Sequence, residues 1–371
     1  MERLTGALQA TAATADRRAG AGGTLRGRPV KVVDGSSTSL PDTAANQASY
    51  PQPGGQKPGC GFPLMKFAVL FSLCSGALLA VACGSRKQHD LRLLRALWTA
   101  LKTGDILLGD RAYGEYATLA ALPGRGVDVV ARLHQRRKVD FRRARRLGHH
   151  DGLFTWDKSS QRSALFSPRE WGRLPAQITV RLVRFNATLR GFRDCQITLV
   201  TTLLDAERYP ASELAALYAR RWRLELCLRD LKTTLGMEEL RCKTPAMVEK
   251  ELLAYLVAHN LVRCVMAEAV AQHQVELERV SFKGSVDALR QFSDALGRAR
   301  SRQQRCRLWA DLLRILAGDL VPERPGRTEP RAVKRRPKPF PLLTKPRHKY
   351  KEVPHRNRYW KAHPRKTRGL N

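Results

Sequence analysis

Three carboxylates carry the chemistry this sequence offers. Asp34 ends the strand-like stretch KVVD, Asp110 follows the strand-like stretch DILLG, and Glu225 lies within LYARRWRLELCLRDLKTTLG, which begins at Leu217. Acidic residues at the carboxyl ends of neighbouring strands of an α/β sheet point into one crevice, the usual ligand site of such sheets. Three carboxylates meeting there would bind Mg²⁺, a hard ion that takes oxygen ligands and keeps room for phosphate and water. Two such ions clamp the attacking and leaving oxygens of a phosphodiester displacement. Taken singly, either aspartate is more often a turn or cap residue; the set of three, in a chain this basic, reverses that reading.

The glutamate needs a helix to hold it. On an ideal helix, Tyr218, Arg221, Glu225 and Lys232 fall within about 60° of arc, on one stripe. Leu217, Leu224, Leu228, Leu231 and Leu235 form the adjacent stripe, an apolar edge that anchors the helix to a core. Donors and cations around a carboxylate suit phosphate oxygens. The plain alternative is ion pairing at i,i+3 and i,i+4 on a solvated face. Arg220, Arg223, Arg229 and Asp230 project elsewhere, and Trp222 is expected to pack against a basic insertion.

Periodicity supplies the elements around these residues. Residues 1–27 are rich in Ala, Gly, Thr and Arg without a sustained apolar period and read as a disordered lead-in. Residues 28–133 alternate strand and helix patterns, the first part of an α/β core with crossovers. Residues 134–209 carry strand-like pieces (LFTW, ITVRLVRF, DCQITLVTTLL) and read as a β-rich insertion. Residues 210–320 return to helices, including the glutamate-bearing one. Residues 321–371 form a basic, Pro-rich tail that builds no core and can lie along phosphates.

A formal net charge of +34 over 371 residues argues for a polyanionic partner, most often nucleic acid. Ribosomal and chromatin proteins are usually shorter and poorer in apolar runs, so a basic enzyme acting on DNA or RNA is the first choice. Arg136, Arg137, Lys138, Arg142, Arg143, Arg145 and Arg146 open the insertion as a dense cationic run suited to backbone phosphate, in a sequence-independent and salt-sensitive way. A solvated basic loop is its alternative. Trp156 or Trp171 could serve as a stacking aromatic, although each reads first as a packing residue. No C-x-x-C pair occurs among the eight cysteines, so neither a zinc site nor a disulfide framework is suggested, and reduced thiols in a cytoplasmic protein are the simplest reading. Residues 67–83, FAVLFSLCSGALLAVAC, are slightly short for a bilayer span and are broken at Ser75-Gly76; a buried hairpin explains them, and no membrane partner is expected.

In this order Asp34, Asp110 and Glu225 resemble the DDE motif of transposases with an RNase H-like fold. Tyr218, Arg221, Glu225 and Lys232 match the Y-x2-R-x3-E-x6-K signature of the insertion-sequence-four family of bacterial transposases. GDRAY around Asp110, VVDGSSTSLPDT around Asp34 and the tail PRAVKRRPKPFPLL are similar to that family too, over about residues 28–345. The resemblance implies an RNase H-like mixed sheet flanked by helices and interrupted by a β-rich insertion before the glutamate-bearing helix. It implies that Asp34, Asp110 and Glu225 bind two Mg²⁺ ions, for which Mn²⁺ can substitute. Tyr218, Arg221 and Lys232 would contact phosphates near the transposon end. The implied reaction is DNA cleavage by activated water, often through a hairpin intermediate, and joining of the freed 3′-hydroxyl to target DNA, by a homodimer on paired ends in a bacterial, nucleoid-associated setting. Family members usually carry an N-terminal helical domain; only 33 residues precede Asp34 here, so most of that domain is expected to be missing.

Three rivals stay open at this level. One is a catalytically silent remnant that only binds DNA. Another is an RNase H-like nuclease acting on RNA or hybrids, against which the Tyr–Arg–Glu–Lys stripe argues. The third is a basic structural or regulatory protein.

Overall fold

In the computed structural model, residues 1–322 are described apart from 21, 89, 164–165 and 188–194, together with 345–346 and 349. The basic, Pro-rich tail expected over 321–371 thus falls almost entirely outside the described residues. The first elements are α1 (Glu2–Ala19), β1 (Thr24–Leu25), β2 (Arg28–Ser39), α2 (Ala44–Ser49), β3 (Leu64–Ser72), β4 (Leu78–Ser85) and α3 (Asp90–Leu97). Next come β5 (Ile106–Gly109), α4 (Tyr116–Ala121), β6 (Asp128–Arg132), β7 (Arg145–Gly148), β8 (Asp151–Asp157), α5 (Pro168–Arg173), β9 (Gln177–Ala187) and β10 (Cys195–Thr201). The chain then turns helical, with α6 (Ala211–Arg220), α7 (Trp222–Arg229), a π turn (Asp230–Thr234), α8 (Pro245–His273), α9 (Phe282–Arg298) and α10 (Arg302–Gly318).

The strands form one mixed sheet in the order β4-β3-β2-β5-β6-β10-β9-β8-β7, with β1 paired to β2. β2, β5 and β6 run parallel, while the β2-β3-β4 meander and the β6-β10-β9-β8-β7 side are antiparallel. An antiparallel meander followed by two parallel strands reached through helices is the RNase H-like arrangement the resemblance implied. Residues 67–83 make the β3–β4 hairpin, turning at Gly76. The β-rich stretch after residue 134 does not stand apart: β10 pairs with β6, and through it β9, β8 and β7 widen the same sheet. Arg181 and Asp151, both buried, lock that side with bonds of 2.8 and 2.5 Å, and Arg181 Nη1 also donates to the Tyr209 carbonyl at 2.7 Å.

Strand alternation sorts the core into two faces. Val30, Val32, Ile106, Leu108 and Val130 pack with Leu217, Tyr218, Leu228, Leu252 and Leu256, so α6, α7 and α8 cover that face. Val33, Leu107, Val129 and Ala131 pack with Leu94, Leu97, Ala117 and Leu119 on the opposite face, beneath α3 and α4. α8 is apolar and long enough to cross a membrane by composition, and half of its most apolar window is buried inside the protein.

The lead-in expected over 1–27 is instead the helix α1. Leu8, Ala12 and Ala15 are buried at i, i+4 and i+7, a stripe small enough for close approach to α8. Asn260, fully buried on α8, donates to the carbonyls of Leu8 and Leu78 and accepts from the Leu78 amide. Alanine is the best helix former but contributes little apolar signal, so this segment lacks the hydrophobic period that marks larger amphipathic helices.

Candidate active site

β2 does not end at Asp34. It continues to Ser39, because β3 goes on pairing with it as far as Ser39↔Leu64. What ends near Asp34 is the parallel ladder: Val32 pairs with Leu108, and no β2–β5 pair follows. Asp34 lies two residues past Val32 and Asp110 two past Leu108. Asp110 keeps an extended backbone (φ −83°, ψ −174°), so both side chains alternate onto the face of Val32 and Leu108. That is the face covered by α6 and α7. Gly109 secures the exit from β5: a Cβ there would stand 2.8 Å from Tyr113 Cβ, in the 3₁₀ turn Arg111–Tyr113 that folds back on the strand. Asp34 and Asp110 line one cleft of about 340 Å³ with Ser36, Ser37, Lys66 and Tyr113.

The glutamate-bearing segment is not one ideal helix. α6 and α7 meet at Arg221, whose amide bonds back to the Tyr218 carbonyl at 3.0 Å, and α7 passes into the π turn at Asp230. Gly236, at φ +81°, closes it, with the Met237 amide reaching the Leu231 carbonyl at 3.1 Å. Tyr218, Arg221 and Glu225 keep their shared side. Arg221 Nη2 donates to Glu225 Oε1 at 3.1 Å, and its guanidinium lies 5.6 Å from the Tyr218 ring centroid. Lys232 lies within the π turn. Its Nζ donates to the Ser37 carbonyl at 2.9 Å and fastens the turn to β2. Trp222 opens α7 with 48% of its surface exposed.

One cation serves all three carboxylates. Burial alone would lower the Arg221 pKa, but Tyr218, Asp110, Asp34 and Glu225 together hold it above the usual arginine value. Burial raises the Asp34 pKa; the Gly35 amide at 2.8 Å and Arg221 oppose this, and Asp110 and Glu225 add to it. Burial also raises the Tyr218 hydroxyl and lowers Lys232. Arg221 Nε is buried without a partner among the described residues, a donor still to be satisfied. Among the described residues the three carboxylates do not close into a metal-holding cluster; Glu225 is bonded to Arg221 instead. Their chemistry nonetheless suits a hard divalent ion: the donors are all carboxylate oxygens beside a polar cleft.

Among the described residues that line this cleft, none comes from the cationic run of the insertion. Arg136, Arg137, Lys138, Arg142 and Arg143 are exposed, as are Arg145 and Arg146 on the edge strand β7. Two of the first five are partly engaged. Arg142 holds Asp140 through two bonds of 3.0 and 3.1 Å, and Arg137 stacks on Trp156 at 3.9 Å. Trp156 is thereby a buried packing residue, and Trp171 packs near Phe166 with ring centroids 6.2 Å apart. Lys66 and Tyr113 line the cleft although spacing did not single them out. The signal for Lys66 was a lone cation inside the apolar strand LMKFAVLFS.

A family model described as a transposase DDE domain matches residues 25–261. Over 328 residues the chain is 30% identical to the transposase InsG for insertion sequence element IS4 of Escherichia coli (strain K12), covering 86% of this chain and 70% of that relative. The chain belongs to the DDE transposases of the insertion-sequence-four family. Among solved structures, the piggyBac transposase synaptic complex with hairpin DNA aligns with 81% of this chain at 10% identity and a TM-score of 0.42; this chain spans 59% of its length. The family match runs from β1 into α8, and so contains Asp34, Asp110 and Glu225.

Proposed function

We propose that this chain is a DNA transposase in which Asp34, Asp110 and Glu225 support divalent-metal-dependent cleavage at the ends of a mobile element and transfer of the freed 3′ end to target DNA. One observation carries the reading. Asp34 and Asp110 stand in register beyond the parallel ladder, on the sheet face that the Glu225 helix covers. The three carboxylates would hold two Mg²⁺ ions, with Mn²⁺ able to substitute. When bound, such ions activate water and stabilise the leaving oxygen of a phosphodiester. Arg221 would exchange its bond to Glu225 for phosphate oxygens, using its fork of donors and its unpartnered Nε. Tyr218 sets the guanidinium plane from beneath. Lys232, tied to Ser37, holds the glutamate segment against β2 and sits at the cleft margin, where it would meet the DNA backbone. The exposed cations Arg136, Arg137, Lys138, Arg142 and Arg143 would track phosphates outside the cleft. Two copies acting on paired DNA ends, in the nucleoid of a bacterial cell, complete the proposal.

The test is Glu225→Gln. This variant should bind duplex DNA as the wild type does and lose Mg²⁺- or Mn²⁺-dependent strand cleavage; unchanged cleavage would remove Glu225 from the chemistry. A second reading, a chain that binds DNA without cutting it, is favoured by the Glu225–Arg221 bond, which occupies the glutamate with a cation of the protein's own. Wild-type protein that binds duplex DNA yet nicks none with either ion would select it.

A further inference from the structure

A second cationic surface lies at the corner between α9 and α10. Arg300, Arg302, Arg305 and Arg307 are all exposed, and among the described residues none of them has a carboxylate partner. The acidic residues nearby are already engaged: Asp294 pairs with Arg298 and Asp311 with Arg314, each at 3.4 Å. Residues 302, 305, 309, 312 and 316 of α10 form one stripe at helical spacing. Leu312 and Leu316 are buried in the cluster shared with α8 and α9, and Trp309 reaches Glu268 of α8 at 2.7 Å. The stripe then continues as Arg305 and Arg302. The first two turns of α10 therefore extend about 10 Å past the last core residue, and the stripe that is apolar further along the helix is cationic and exposed there.

This charge does nothing for the helix that bears it. The first turn of α10 holds no acidic residue, and cations at a helix start are disfavoured by the aligned peptide dipoles. The corner is also tied by its own hydrogen bonds. Ala299 is buried, Ser301 Oγ accepts from the Gln304 amide at 3.0 Å, and Gln304 Oε1 accepts from the Arg300 amide at 3.1 Å. Among the described residues, Arg305 is the one of the four whose side chain bonds the protein, to the Ala299 carbonyl at 3.3 Å.

We infer that the α9–α10 corner is a second DNA-contact surface, separate from the carboxylate cleft and from the basic run of the insertion, and that it grips the phosphate backbone of duplex DNA through Arg300, Arg302, Arg305 and Arg307. Guanidinium forks suit phosphate oxygens and carry no sequence preference. The inference rests on the reading of the chain as one that acts on DNA, but not on the identity of its catalytic residues.

The test is the full chain carrying Arg300→Gln, Arg302→Gln and Arg307→Gln, which spares the Arg305 bond. Binding of a fluorescent duplex of arbitrary sequence is titrated across a series of NaCl concentrations. The slope of log Kd against log salt should fall by about 2 to 3, close to 0.9 for each phosphate no longer neutralised, with Kd about tenfold weaker or more near physiological salt. The thermal melt should match wild type, and the three corresponding Arg→Lys changes should restore the slope. An unchanged slope in the Gln variant overturns the surface. So does an unchanged duplex slope with selective loss of binding to phosphatidylserine vesicles, which would assign the corner to a membrane. Neither outcome touches cleavage by the carboxylates, which Glu225→Gln tests separately.

Discussion

Asp34 and Asp110 are register partners beyond the last pair of the β2–β5 ladder: Val32 faces Leu108, and each aspartate follows two residues later. Parallel pairing fixes which face both side chains take, and the same face carries Tyr218, Leu217 and Leu228 of the segment that bears Glu225. The two aspartates are thus placed by strand register, Asp110 one residue past the end of β5. A site built on strands is held more tightly than one built on loops.

Register has a cost at Asp34. Its folded pKa lies above the ordinary carboxylate value, because burial and the charges of Asp110 and Glu225 outweigh the Gly35 amide and Arg221. A raised folded pKa means the native state binds more protons than the unfolded one, so stability is lost as pH rises through that value. At neutral pH the ionised carboxylate therefore weakens the metal-free fold. Asp34→Asn should raise the melting temperature of the metal-free protein at pH 7 and abolish metal-dependent cleavage. Melting curves paired with nicking assays check both halves; a variant that melts lower than wild type would contradict the electrostatic account.

Arg221 is the cation common to the site. Truncating it removes a charged hydrogen bond to Glu225 and leaves Asp34, Asp110 and Glu225 facing one another. Arg221→Ala should weaken binding of DNA ends by roughly 10- to 100-fold, in keeping with about 1.5–3 kcal/mol for hydrogen bonds to charged groups. Divalent-ion binding, followed by calorimetry, should persist. Arg221→Lys should recover only part of the loss, since a single ammonium cannot reproduce the guanidinium fork. Full recovery by lysine would reduce Arg221 to a point charge.

Within the basic run the two neighbours Arg142 and Arg143 should behave differently. Both are exposed, but Arg142 is held by Asp140 through two bonds, whereas no carboxylate pairs with Arg143 among the described residues. Arg143→Gln should lower the salt slope of DNA binding by about 0.9, the full share of one phosphate contact. Arg142→Gln should lower it less, because a cation already neutralised releases less counterion, and Asp140→Asn should restore the free charge. Equal slopes for the two arginine variants would show that the Asp140 pair opens on binding.

Much of this was legible beforehand, and the failures have physical causes. The hairpin over 67–83 and the strands carrying Asp34 and Asp110 announced themselves through apolar runs, which buried strands require. The shared side of Tyr218, Arg221 and Glu225 followed from helical spacing, which survives the short irregularity at Arg221. The π turn Asp230–Thr234, which contains Lys232, was not legible, because nothing in DLKTT marks it. α1 was missed because its buried stripe is built on Leu8 and two alanines, too small to register as a hydrophobic period. The continuity of the insertion with the main sheet depends on β10 pairing with β6, a long-range choice that local pattern does not encode.

The π turn itself offers a titration. Asp230 opens it, and burial raises its pKa to about 6 against an ordinary 3.8, even though Arg229 and Arg263 favour the charged form. The sign again runs one way: between those values the native state holds a proton that the unfolded chain has released, so stability falls as pH rises from about 4 to about 6. Asp230→Asn removes that loss. The variant should equal wild type near pH 4 and exceed it at pH 7 by on the order of 1–2 kcal/mol, since residual solvent contact trims the full shift. Other carboxylates titrate over the same range, but they are common to both proteins, so the difference between the two stability curves isolates Asp230. Urea unfolding at half-unit steps of pH reads that difference directly. A flat difference across the range would mean that Arg229 and Arg263 compensate the buried charge fully and that the π turn carries no electrostatic strain.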